Sequence, residues 1–309
     1  MPSLIRTFLQ VLPVFLLVGV GYGLGRIGLL RPRVAAVLSR LVFYVFLPPL
    51  MFLGIAETRL SESFEPDVIL WSLAAVTVFS IIVFVAAGPF LGPAQRGVLT
   101  QGASRSNLAF VGLAILLSLY GEGILGKAAV FIAFQAFLIN LLTVFFLLIP
   151  HYSLKDPANW KRIGLQLVLN PIVLGCASGM AFSASGWQLA PLWKTVLKDL
   201  AAPTLPLALL TVGATLKDSA LRYRTGLVAL ASFLKLGLLP GLVWFLLKLA
   251  QVPTPSLVMA VVLLGSPTAV TSYIMAREMQ GDHALASSII LATTVLAPFT
   301  MTIWIELLS

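Results

Sequence analysis

The stretch "QGASRSNLAFVGLAI", residues 101–115, sets an arginine, a serine and an asparagine inside an otherwise apolar run, with Gly102 before them and Gly112 after them. A second stretch, "LLGSPTAVTSYIM" at 263–275, has the same character, with glycine, serine and proline among aliphatic residues. A guanidinium among apolar neighbours is expensive unless it is paired or does something. How the two stretches are read depends on what surrounds them.

The surroundings are those of a membrane. The chain has 309 residues, of which 59% are hydrophobic and only 10% charged, and its mean hydropathy is +1.02. A soluble domain carries about 25% charged residues. The fold class expected is therefore an all-α polytopic membrane protein. The formal net charge of +9 does not point to nucleic acid. Its lysines and arginines are scattered singly or in pairs between apolar runs, as in cytoplasmic loops. The single cysteine, Cys176, lies in an apolar run. It reads as a small buried hydrophobe and leaves no disulfide framework or thiol metal site. The first apolar run, Ile5–Leu24, is followed by "GRIGLLRPR" rather than a small-residue cleavage site. It is expected to be a retained transmembrane helix.

A helix needs about 20 residues to cross the hydrocarbon core. Cutting the chain at charge clusters and Gly/Pro punctuation gives ten segments, near 5–27, 33–56, 67–91, 96–119, 125–149, 162–182, 192–216, 223–249, 255–278 and 283–307. The longest polar connection is "HYSLKDPANWKR", 151–162, and no soluble domain is expected. Arginine and lysine favour one set of loops by about eleven to six. That bias predicts both termini outside a cytoplasmic membrane.

The chain also resembles itself. "VLPVFLLVGVG" (11–21) resembles "VLNPIVLGCASG" (168–179), with Pro13 on Pro171, an offset of 158. "PLMFLGIA" (49–56) resembles "PLALLTVG" (206–213) at an offset of 157, and "SNLAFVGLAILLSLYGE" (106–122) lies on "SPTAVTSYIMAREMQGD" (266–282) at 160. Three matches at nearly one offset, close to half the chain, predict a repeat: 1–150, a short cytoplasmic connector 151–161, and 162–309. Five helices is an odd number, so the second copy enters the membrane from the opposite side. Such inverted repeats belong mainly to secondary transporters.

The two polar stretches fall at related positions of this repeat. Pro267 cannot donate to a helix ladder and disfavours helix at Ser266. Asn107 can bond freed backbone groups. Segments four and nine are therefore expected to break near mid-membrane and cross, with Gly102, Gly112 and Gly265 as crossover or hinge glycines. Backbone breaks at that depth need protein or a watery cavity. Half-helix N-termini facing one cavity make an anion site.

Two readings of Arg105 stand: it serves a carboxylate at this site, or it is structural, snorkelling or paired with an acid such as Asp199. Asn107 as interhelical glue and Pro267 as a plain kink also stand. So do two readings of Pro48, Pro49, Pro203 and Pro206: helix bending, or freed carbonyls that line a cavity with Thr204. "GYGLG" (21–25) reads as a close-packing face, since no strand precedes it.

Other chemistry is missing from the pattern. His151 and His283 fall in or beside loops, no HExxH occurs, no pair of intramembrane aspartates occurs, and no P-loop occurs. Neither an enzyme nor a bound cofactor or metal is expected, and ATP does not drive the protein.

"RSNLAFVGLAI" (105–115), "NPIVLG" (170–175), "PTLPLALLTVGATLKD" (203–218) and "GSPTAVTSYIMAREMQGD" (265–282) resemble the auxin efflux carrier family. That family includes the plant auxin carriers and short bacterial permeases for malonate or malate. The resemblance covers nearly the whole chain. It implies ten helices in a five-plus-five plan and an elevator-like carrier of organic anions, a homodimer in the lipid bilayer. Helices 3–5 and 8–10 would move against helices 1, 2, 6 and 7. It implies that Asn107 and Pro267 sit at the crossover and contact a substrate carboxylate; with the polar residues beside them, the expected substrate site is Arg105, Ser106, Asn107, Ser266, Pro267, Thr271 and Ser272. The chain departs from the plant carriers in its short 151–162 loop. It also has Thr271 and Ser272 after "SPTAV", where relatives often carry asparagine and serine. Alternatives with other cargo or function are a sodium-coupled carrier of bile-acid-like substrates, a non-transporting membrane sensor or assembly factor, and a channel.

Overall fold

In the computed structural model the described residues are 2–57, 63–148, 169–216 and 223–308. They form α1 (Pro2–Arg26), α2 (Pro32–Ala56), α3 (Pro66–Ala87), α4 (Pro93–Ser104), α5 (Leu108–Tyr120) and α6 (Leu125–Leu148). The second half gives α7 (Pro171–Ser185), α8 (Pro191–Thr215), α9 (Thr225–Leu249), α10 (Thr254–Gly265), α11 (Thr271–Glu278) and α12 (His283–Leu308). No strand occurs among the described residues, and the one β-type contact among them is an antiparallel bridge between Ser106 and Thr268. The connector 151–161 lies outside the described residues.

Seven of these helices, α1, α2, α3, α6, α8, α9 and α12, are long and apolar enough to cross a membrane. At 1.5 Å per residue, α6 reaches about 36 Å, more than the ~30 Å hydrocarbon core. By contrast α4 and α10, 12 residues each, reach only ~18 Å.

Proline explains where many helices start. Pro32, Pro66, Pro93, Pro171 and Pro191 each occupy a first helical position, and Pro255 a second. There the missing N–H has no intrahelical partner to lose, and the fixed φ suits a helix. Asn170 adds a cap, its Oδ1 accepting from the Ile172 N–H at 2.9 Å.

Glycines set how closely the helices pack. Helix α1 lies against the second half of α8. A Cβ on Gly21 would run into the Leu210 backbone, and one on Gly213 into the Val18 carbonyl. Helix α7 lies in the same way against the second half of α2. Here Gly175 meets the Pro48 backbone and Gly179 the Phe52 carbonyl. Helices α1, α2, α7 and α8 thus form one closely packed group. The other helices pack beside it, and one continuous core, with Val18, Ile55 and Cys176 as well as Phe131, Val261 and Ile290, runs through both. "GYGLG" is accordingly a packing face at Gly21 and Gly25, while Gly23 meets nothing.

In α2 a π-helical turn, Val42–Phe46, precedes Pro48 and Pro49. The Phe46 carbonyl accepts from Thr204 Oγ1 at 3.0 Å, and Thr204 is fully buried. Thr204 therefore joins α2 to α8. Pro206, two residues on, is exposed on the surface of α8.

Candidate functional site

Between α4 and α5 the chain leaves the helix for three residues. Arg105 is extended (φ −83°, ψ 98°) and Asn107 lies at φ −84°, ψ 64°. Between α10 and α11 it leaves again at Ser266 (φ −58°, ψ 154°), the conformation that a following proline favours. The two segments pair with each other. The Asn107 N–H donates to the Pro267 carbonyl at 2.9 Å, and the Ala269 N–H to the Arg105 carbonyl at 3.1 Å. Backbone groups that no helix can use are satisfied in this way. Thr268 pins the pair at both ends, its Oγ1 donating to the Gly102 carbonyl at 2.7 Å and its N–H to Thr293 Oγ1 at 3.2 Å.

Two cations are buried here. Arg105, 8% exposed, donates from Nη2 to Asn140 Oδ1 (2.7 Å) and Thr271 Oγ1 (3.1 Å), from Nη1 to Thr143 Oγ1 (3.1 Å) and from Nε to Thr271 Oγ1 (3.3 Å). Asp199 is not among these partners, which are neutral hydroxyls and an amide. The second cation is Lys235 of α9, with no exposed surface. Its Nζ donates to the Leu264 carbonyl at 2.5 Å and Ser106 Oγ at 2.7 Å. Among the described residues no carboxylate forms an ion pair with either cation. The ion pairs there are Lys127–Glu65 and Lys194–Glu57, which lie elsewhere.

The sequence-derived residues meet at this place, in different roles. Ser106 Oγ donates to the Leu264 carbonyl at 2.7 Å and accepts from Lys235. Ser266 turns back onto its own helix, donating to the Leu263 carbonyl at 2.7 Å. Thr271 holds Arg105 and is exposed, so the guanidinium lies beside accessible space. The Asn107 side chain has no hydrogen-bond partner among the described residues, although the residue is 6% exposed. Ser272 Oγ is buried and also unpartnered. Gly102, Gly112 and Gly265 are close-approach positions: a Cβ on Gly112 would come within 3.1 Å of Leu263 and 3.3 Å of Ser266 Oγ. None of the three has a positive φ.

Sequence reading passed over Lys235, Gln101, Asn140 and Thr143. Lys235 had a usable signal, a lone lysine in the middle of the apolar run "SFLKLGLLP" (232–240). Gln101 donates to the Ser272 carbonyl at 3.1 Å and leaves its own Oε1 without a partner.

Residues 7–305 match the family model described as "Membrane transport protein". The chain belongs to the auxin efflux carrier family. Similar proteins include an "Uncharacterized transporter" of Methanothermobacter thermautotrophicus, 25% identical over 303 residues, covering 95% of this chain and 96% of the relative. A "Putative malonate transporter" of Rhizobium meliloti is 25% identical over 300 residues, 94% of this chain and 92% of the relative. An "Uncharacterized transporter" of Methanocaldococcus jannaschii is 23% identical over 305 residues, 95% of this chain and 96% of the relative. The auxin efflux carrier match and the apolar helices together make the chain a multi-pass membrane transporter.

Proposed function

We propose that this chain is a secondary carrier of small organic anions, acting as a homodimer by an elevator-like exchange about the place where its two non-helical segments pair. The observation that carries the proposal is the pair of buried cations, Arg105 and Lys235, whose partners are all neutral. Charge taken out of water needs opposite charge nearby. A carboxylate held near Arg105 would supply it, oriented by the unused Asn107 amide, the Thr271 and Ser272 hydroxyls, and the first N–H groups of α5. Ser106, Ser266 and Pro267 would shape the floor of the site. The name of the Rhizobium meliloti relative, "Putative malonate transporter", supports a carboxylate substrate.

The carrier is proposed to cross a cytoplasmic membrane ten times, with both termini outside. The pairs α4/α5 and α10/α11 would each count as one broken crossing. Residues 1–150 and 162–309 would be inverted copies. Contacts at one offset favour this. Adding 158 carries Gly21 onto Gly179 and Leu210 is carried back onto Phe52, and the two glycine contacts, Gly21 with Leu210 and Gly179 with Phe52, are counterparts. The hydrogen bonds from Ser106 to Leu264 and from Thr204 to Phe46 also span 158 residues each. The group α1, α2, α7 and α8 would be the scaffold. The sodium-coupled alternative gains no observation here.

The test is uptake of labelled malonate and other small carboxylates into proteoliposomes. The expected result is saturable uptake by the wild type and at least a tenfold loss in Asn107→Ala, with an unchanged melting temperature. Wild-type uptake by Asn107→Ala would remove the residue from the site, and linear, unsaturable flux would replace the carrier with a channel.

A further inference from the structure

The carbonyl of Leu264, one residue from the end of α10, stands outside the helix ladder. The N–H four residues on, that of Thr268, donates to Thr293 Oγ1 at 3.2 Å instead. Two side chains take the freed oxygen: Ser106 Oγ at 2.7 Å and Lys235 Nζ at 2.5 Å. Nζ also donates to Ser106 Oγ at 2.7 Å, so carbonyl, hydroxyl and ammonium form a closed triangle. Lys235 comes from the π-helical turn Leu234–Leu238 of α9, and both it and Ser106 are buried.

Carbonyl and hydroxyl oxygens at the negative end of a half-helix are ligands for an alkali cation. In membrane carriers, half-helix C-termini and unwound carbonyls hold sodium, and such oxygens replace its hydration shell. Here a charge of the same sign and size is already present, joined to α9 by four methylenes. We propose that Lys235 is a tethered cation: its ammonium fills an alkali-ion position at the end of α10, so transport needs no sodium, and removing the ammonium opens the position to sodium. The statement about transport rests on the anion-carrier reading above; the statement about cation binding does not.

Two measurements separate these. First, purified wild type, Lys235→Ala and Lys235→Met are melted in detergent in sodium chloride and in choline chloride at equal ionic strength, without substrate. The wild type is expected to melt alike in both salts. Lys235→Ala is expected to melt lower in choline and to recover by roughly 5 °C in saturating sodium. Methylammonium chloride, an untethered ammonium, should restore it too. Lys235→Met, whose side chain fills the vacated volume, should respond to neither. Sodium stabilisation of the wild type, or a Lys235→Ala protein indifferent to both sodium and methylammonium, overturns the assignment. If Lys235→Ala yields no cooperative melt in choline, recovery after purification in sodium or methylammonium supports it, and failure in all three salts overturns it.

Second, malonate uptake is compared in the same salts. Wild-type uptake should be equal in sodium and choline, and Lys235→Ala uptake several-fold higher in sodium. A wild type that requires sodium overturns the proposal. Failure of every protein to take up any carboxylate removes the carrier reading and leaves the cation assignment to the melting curves.

Discussion

Arg105 and Lys235 meet the cost of burial differently. The guanidinium uses its planar fork to reach three side chains at once, Asn140, Thr143 and Thr271, and so joins the end of α4 to α6 and α11. The ammonium, a compact charge, sits on one carbonyl and one hydroxyl. The two are not interchangeable. Arg105→Lys is expected to lose at least two of the three contacts. Malonate affinity should fall about tenfold or more, equivalent to ~1.4 kcal/mol, as read from concentration-dependent uptake. Unchanged affinity would make Arg105 a brace and not a substrate contact. Arg105, Ser106 and Asn107 could be picked from the sequence because three polar residues in an apolar run stand out. Asn140 and Thr143 could not, because a single amide or hydroxyl in a long helix gives no hint of which neighbour it will meet. Lys235 is legible as a lone charge inside an apolar run, although a lysine in a membrane protein more often marks a loop.

At the level of helices, proline carried most of the legible information. Expected starts at 33, 67, 192 and 255 fall one residue inside the observed Pro32, Pro66, Pro191 and Thr254. The start expected at 96 is found at Pro93, and the described part of the segment expected over 162–182 is helical from Pro171 to Ser185. What proline could not reveal was the β-type pairing of Ser106 with Thr268, because it depends on two segments about 160 residues apart meeting edge to edge. Glycine spacing was informative where backbones touch. Gly213→Leu should force α1 from α8, since no side chain fits against the Val18 carbonyl. Overpacking of this kind costs about 1–3 kcal/mol. Thermal melting should show a drop of several degrees, whereas Gly23→Leu, at a glycine with nothing near it, should leave the melting temperature almost unchanged.

Across the whole molecule the two packed groups touch at few polar points. Ser118 Oγ of α5 donates to the Gln10 carbonyl of α1 at 2.6 Å, and Thr7 Oγ1 to Glu306 at 3.1 Å. If the groups slide past each other during transport, a covalent link here should stop them. Gln10→Cys combined with Ser118→Cys is expected to lose most uptake on oxidation and regain it on reduction. The native Cys176 is buried and should not interfere. Full uptake by the oxidised protein would rule out a sliding motion at this boundary. If the two halves are inverted copies, as proposed, their buried charges do not correspond. Moving 158 residues back from Lys235 leads to Thr77, whose hydroxyl only returns to the Leu73 carbonyl of its own helix. At the offset of 160 that lays residues 106–122 on 266–282, Arg105 falls on Gly265. In that case each half contributes one charge that the other does not mirror. Exchanging the conformations of the halves would then join two states of unequal free energy, and the empty protein would rest facing one side of the membrane.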